Sequence, residues 1–294
     1  MNEPRTLPPS RQVGGSRNLV QRVARRLGRD GKRVANWCSG VCQNPTRASN
    51  PAFVVGCGRS GTTMLLRQLG ESKHVEIWNE DHPDVFEKWR LRDMQCIDAA
   101  MRKSWAPVCL FKPILNTHQT RQLLTRFAEG RIVFCFRHVD DVANSSMRKF
   151  GENHHLKTME RWLENDFAEF HQARSVITEE FVRARYSTSL SPASASALVW
   201  LFYNRLWFDL QLESEERAAL VEYEELVRNP DRYFRNLSNF LGVPFDQAMI
   251  SGIVQTSIKK NRTPDISAQI RADCEEVFDR LRSAARKQAW VSDD

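Results

Sequence analysis

The chain lacks any apolar run long enough to cross a bilayer, which takes about 20 consecutive residues as a helix. Its first residues also lack the apolar segment of a secretory signal, so a cytoplasmic protein is expected. Seven cysteines are an odd number, and a disulfide framework is not expected of a reducing compartment. Cys57, Cys109 and Cys135 sit in or beside apolar strands, where a free thiol behaves as a small hydrophobe. Cys38 and Cys42 have no second cysteine pair and no histidine pair nearby, so no zinc site is expected there. No internal repeat is present. Beyond residue 50 the chain lacks net basicity: 33 Lys/Arg face 34 acids. The net +7 comes from residues 1–50, where ten Lys/Arg face two acids. Without a continuing basic face on the body, nucleic acid is not an expected partner.

What is present is concentrated in one stretch, PAFVVGCGRSGTTMLLRQL, residues 51–69. Phe53, Val54 and Val55 form a short apolar run between Pro51 and Gly56, the pattern of a buried parallel strand. Gly56 to Gly61 is a small-residue turn, and from Thr62 onward Met64, Leu65 and Leu69 have helical spacing. A strand, a glycine turn and a helix start make a phosphate cradle, because unpaired N–H groups and the helix dipole both favour an anion there. The nucleotide P-loop pattern GxxxxGK[ST] is matched at Gly56, Gly61 and Thr63, but Thr62 stands where the lysine belongs. A cation appears earlier instead, at Arg59. The plain alternative is an ordinary strand–helix turn.

The rest of the pattern alternates. Strands are expected at 75–78, 108–111, 131–136 and 219–223, with helices at 84–101, 117–127, 140–150 and 156–181. A Ser/Ala/Pro break covers 187–196, and a second long helix runs from it to about residue 212. A helix over 230–241 is closed by Gly242, a basic loop spans 259–264, and a charged helix covers 268–289. The fold class expected is α/β: a P-loop-type three-layer fold whose mainly parallel sheet is flanked by helices. Ligands of such sheets bind beyond the carboxyl ends of the strands. Two parts are expected: a basic arm, 1–50, disordered or amphipathic, and one α/β domain, 51–294. Within the arm, residues 17–37 carry an imperfect apolar stripe among arginines, suited to an anionic membrane surface or a partner.

Arg137 ends the strand 131–136, where a metal-dependent ATPase or kinase would place an acid for magnesium. Arginine there attracts an anion instead. Ser145, eight residues on, lies on the following helix and can join it in a second phosphate clamp. The alternative is an ion pair of Arg137 with Asp140 or Asp141. Two anion sites at two strand ends suit a nucleotide phosphorylated at both ends of its ribose.

These residues carry a resemblance to the PAPS-dependent sulfotransferases, whose donor is 3′-phosphoadenosine 5′-phosphosulfate (PAPS). GCGRSGTTMLLRQL resembles their 5′-phosphosulfate loop and FCFRHVDDVANSS their 3′-phosphate motif. VEYEELVRNPDRYFRNLSNFLGVP is similar to a later family segment. The resemblance implies that Arg59, Ser60, Gly61, Thr62 and Thr63 hold the 5′-phosphate, with Arg59 where many members have lysine. It implies that Arg137 and Ser145 hold the 3′-phosphate, that Tyr223 approaches the adenosine, and that Lys260 and Arg262, with Lys259, belong to a loop closing over the 3′-phosphate. No metal cofactor is expected. The cytosolic branch places a catalytic histidine after a Lys-Thr pair, but FKPIL at 111–115 has none. The chain looks closer to the carbohydrate and protein-tyrosine type, which carries a glutamate after the second strand. Glu80 occupies that place as general base, with His82 a rival and Asp81 a weaker one; Lys112 adds charge near the transferred group or is a surface lysine at a strand end. The acceptor class implied is a carbohydrate, a lipid or another metabolite, and the location cytoplasmic or peripheral to a membrane. A P-loop small-molecule kinase and a non-catalytic nucleotide-binding relative are the competing readings. Oligomeric state leaves no sequence signal.

Overall fold

The computed structural model describes residues 48–173, 176–253 and 263–288. Residues 1–47 of the basic arm, with Cys38 and Cys42, and also Lys259, Lys260 and Arg262 lie outside the described residues. Strands β1 (Asn50–Gly56), β2 (Val75–Trp78), β5 (Val108–Phe111), β6 (Arg131–Phe136) and β7 (Ala218–Glu222) form one parallel sheet in the order β2-β5-β1-β6-β7. β3 (Phe86–Glu87) and β4 (Arg90–Leu91) form a separate two-stranded hairpin. Helices α1 (Thr62–Leu69), α2 (Met94–Lys103), α3 (Thr120–Arg126), α4 (Val139–Phe150) and α5 (His154–Glu164) follow the chain, then α6 (Val176–Arg185) and α7 (Pro192–Asp209). α8 (Tyr223–Arg228), α9 (Pro230–Leu241) and α10 (Ala268–Lys287) complete it.

Side chains alternate across a strand, so each strand feeds two cores. Phe53, Phe111, Phe134 and Phe136 face one layer, which includes Trp200, Phe202 and Trp207 of α7. Val54, Leu110, Val133 and Val221 face the other, against Leu65, Leu66 and Leu69 of α1 and Phe234 and Leu237 of α9. α7 is buried on nearly every side, hence its apolar circumference. Each large side chain so buried contributes about 1.5–3 kcal/mol.

The four strands expected from the pattern are present, within one residue at β7. The helices differ in places. The helix expected over 84–101 is a hairpin first: the amides of Val85 and Phe86 both donate to the carbonyl of His82, and Arg92 N–H donates to Val85. α2 starts only where the Asp93 carboxylate accepts the Gln95 amide. The helix expected over 117–127 is a 3₁₀ turn, Ile114–Gln119, running into α3. The helix expected over 156–181 breaks after Glu164, because Asp166 and Phe167 take positive φ (49° and 51°). The helical spacing of Met159, Trp162, Phe167 and Phe170 comes from two elements sharing one aromatic cluster, not from one helix. Half of the expected break at 187–196 belongs to α7, whose start is set by Ser191 capping Ser194 and by Pro192 in the first turn.

Candidate active site

The strand order lays the chemistry out along the carboxyl edge. Glu80 lies beyond β2, Lys112 beyond β5, the loop 57–61 beyond β1, Arg137 beyond β6, and Tyr223 and Glu224 beyond β7. Parallel neighbours are about 4.8 Å apart, so all five strand ends fall within about 20 Å.

The loop after β1 is held from below. Thr117 Oγ1 accepts the Gly56 amide at 3.0 Å and donates to the Gly56 carbonyl at 3.1 Å. Arg59 sits at φ 70°, a left-handed conformation costly for any residue that carries a Cβ. α1 opens at Gly61 with no side-chain cap, so its first amides lack intrahelical partners. Ser60 Oγ is buried and has no hydrogen-bond partner among the described residues. Such a hydroxyl costs about 1–3 kcal/mol unless a ligand or water meets it. The orphan hydroxyl, the uncapped amides and the cation Arg59 fit a phosphate group.

Gly61 has φ 86°, and a Cβ there would lie 2.1 Å from Tyr223 Cδ2. The ring of Tyr223 therefore rests on the glycine of the loop. Gly61→Ala is expected to cost about 1–3 kcal/mol in denaturant unfolding. At Gly58 a Cβ meets nothing within 4 Å, so Gly58→Ala is the near-neutral control; equal losses at both positions would refute this account.

Lys112 is buried at 3% exposure, which sets aside its reading as a surface lysine. Its Nζ donates to Thr63 Oγ1 at 2.9 Å and to Glu80 Oε1 at 3.0 Å. One ammonium thus ties the carboxylate beyond β2 to the first turn of α1. His82 packs its ring on Trp78, centroids 4.5 Å apart, and its Nδ1 accepts the Asp84 amide at 3.3 Å. Asp81 is exposed and accepts from Asn79 Nδ2.

The residues of the expected second clamp pair differently. Arg137 pairs with Asp141 at 3.2 Å, the alternative reading of its sequence context. Ser145 instead accepts from Arg59 Nε at 3.1 Å, which brings the two expected anion sites into contact. Burial, then the charges of Arg137 and Arg148, lower the pKa of Arg59. Cations close enough to depress Arg59 mark a place where an anion is electrostatically favoured. Arg137 Cζ lies 4.3 Å from the Tyr223 ring centroid, a cation–π contact, and its carbonyl accepts from Trp200 Nε1 at 2.8 Å. The next amide, His138 N, donates to Glu224 Oε1 at 3.0 Å.

Sequence reasoning missed Thr117, Trp200 and Glu224. Thr117 and Trp200 act from other elements, by contacts no local pattern encodes. Glu224 did leave a signal: it is the glutamate of the Tyr-Glu-x-Leu segment, immediately after Tyr223.

The description "Sulfotransferase domain" matches residues 49–271. Among solved structures, the sulfotransferase domain of the Synechococcus PCC 7002 olefin synthase has a TM-score of 0.50 at 18% identity, over 80% of this chain and 95% of that one. The sulfotransferase domain from the curacin biosynthetic pathway scores 0.54 at 14% identity, over 80% and 98%. The sulfotransferase of Alicyclobacillus acidocaldarius scores 0.52 at 17%, over 83% and 100%. At these identities the likeness is one of fold. An uncharacterized protein of Archaeoglobus fulgidus is 34% identical over 61 residues, which span 21% of this chain and 19% of that protein's length. No described helix is long and apolar enough to cross a membrane.

Proposed function

Because the chain belongs to the sulfotransferase domain family, we propose that it moves a sulfuryl group from PAPS to a hydroxyl or amine of a carbohydrate, a lipid or another metabolite. The observation that supports this donor best is the contact of Arg59 with Ser145. It sets the helix that follows Arg137 beside the cradle at β1, which places both expected anion sites on one edge of the sheet, within reach of a donor phosphorylated at both ends of its ribose. In this reading the loop amides, Ser60, Thr62 and Thr63 take the 5′-phosphate, and Arg137 with Ser145 takes the 3′-phosphate. Tyr223 lies between them, in contact with both Gly61 and Arg137.

The reaction is an in-line displacement at sulfur. The acceptor oxygen or nitrogen forms the new bond to sulfur as the bond from sulfur to the bridging phosphate oxygen breaks. Glu80 takes the acceptor proton. The electron pair leaves on adenosine 3′,5′-bisphosphate, where Arg59, Lys112 and the first amides of α1 meet the new charge. Lys112 couples the two ends. As the proton arrives on Glu80, the ammonium loses its anionic partner and its charge becomes available to the departing oxygen. The engagement of His82 with Trp78 and with the Asp84 amide supports Glu80 over His82 as the base.

The test is transfer of radiolabelled sulfuryl from PAPS to a panel of sugars, glycolipids and hydroxylated metabolites, with calorimetry of adenosine 3′,5′-bisphosphate alongside. Label on an acceptor and tight binding of the bisphosphate are expected. Phosphorylation from ATP with magnesium, and no transfer from PAPS, would overturn the reading.

A further inference from the structure

Glu224 has no part in the reaction above, yet it sits under the 3′-phosphate side of the site. It is 5% exposed, at the start of α8, directly after Tyr223. Its Oε1 accepts the His138 amide at 3.0 Å, and its Oε2 is buried with no hydrogen-bond partner among the described residues. This carboxyl therefore holds the turn that carries Arg137, and half of it is unsatisfied. Burial, the largest cause, raises its pKa to about 7, against the His138 amide, its own amide and Arg137, which pull it down.

We propose that Glu224 is a positioning residue for the 3′-phosphate of the donor, and that binding of that phosphate is coupled to proton uptake by the Glu224 carboxyl. The proposal rests on the donor reading above. Its physical basis is charge. A phosphate dianion brought to Arg137 repels an ionised Glu224 and favours the protonated acid. By linkage, protonating Glu224 must tighten the phosphate by the same factor. The neutral acid still accepts the His138 amide, so the turn keeps its shape in both states.

Other charged groups face this carboxyl. Arg137 and His138 come from the turn after β6, and Asp141 from α4 pairs with Arg137. Asp140 pairs with Arg271, and Glu222, at the end of β7, pairs with Arg282; both arginines lie on α10. Glu225 follows on α8 and pairs with Arg228. The acids with their own arginines are offset, and Arg137 already serves Asp141. His138, whose amide Glu224 accepts, carries the rival ionisable side chain in this turn.

The experiment is calorimetry of adenosine 3′,5′-bisphosphate on the full chain at pH 6.5, 7.5 and 8, in buffers of different ionisation enthalpy. At pH 7.5 and 8 the ligand's own phosphates are already dianions, whose second ionisation falls near pH 6. Proton exchange there belongs to the protein. Wild type is expected to take up protons on binding and to bind about fivefold more tightly at pH 6.5 than at pH 8. Glu224→Gln, which keeps the acceptor for His138 N–H, is expected to bind at pH 8 as wild type does at pH 6.5, with no uptake. Uptake retained in Glu224→Gln would move the linkage to His138 and overturn the proposal. So would wild-type binding without uptake, which needs no variant and leaves the donor reading standing. Absence of binding at every pH would overturn both.

Discussion

Glu80→Gln is expected to lower kcat by about 10²- to 10⁴-fold while leaving the affinity for adenosine 3′,5′-bisphosphate unchanged. That is the range for loss of a positioned general base. The substitution is chosen for what it keeps. A glutamine oxygen still accepts the Lys112 ammonium, which stands 3.0 Å from Glu80 Oε1, so the buried lysine is not left without a partner. It also keeps the bridge through Lys112 to Thr63 Oγ1, on the phosphate side. What is lost is the capacity to take a proton. A fall in kcat with an equal fall in kcat/KM would mark an interaction made only in the transition state. His82→Gln serves as the comparison and is expected to have the smaller effect. Full activity in Glu80→Gln would remove the glutamate from the mechanism and promote His82.

The sheet and its carboxyl edge were legible because buried parallel strands read as short apolar runs, and because glycines mark the phosphate turn. Residues 53–55, 108–111 and 131–136 needed no tertiary information. The hairpin at 86–91 was not legible. Its turn puts Lys88 and Trp89 at positive φ, where asparagine or glycine is the usual signal, and Trp89 stays 60% exposed. The break inside 156–181 was hidden for a related reason. Asp166 and Phe167 turn the chain left-handed without a glycine, and the aromatics on both sides keep a helical spacing by packing on Phe202. In the candidate site, the strand ends that carry the expected residues were legible but the residues' pairings were not. Eight residues separate Arg137 from Ser145, and that spacing suggested a clamp. On the first turn of α4 the guanidinium meets Asp141 instead, and the serine, one turn further on, meets Arg59 of the loop after the neighbouring strand β1.

Arg137→Ala is expected to weaken adenosine 3′,5′-bisphosphate by roughly 100-fold, the scale of truncating one member of a buried charged pair in a binding site. Three contacts fix this guanidinium or its backbone: Asp141 at 3.2 Å, the Tyr223 ring at 4.3 Å, and Trp200 Nε1 on its carbonyl. The guanidinium is thus oriented before a ligand arrives, and little ordering cost falls on binding. Its removal has a second consequence. Asp141 is 5% exposed, and without the cation its carboxylate adds a negative charge where the phosphate must sit. A lower melting temperature is therefore expected together with the weaker binding. The double variant Arg137→Ala with Asp141→Asn separates the two effects. It removes the carboxylate's charge and is expected to recover the melting temperature while recovering only part of the affinity. Full recovery of affinity would mean that Arg137 serves to neutralise Asp141 and does not hold the donor.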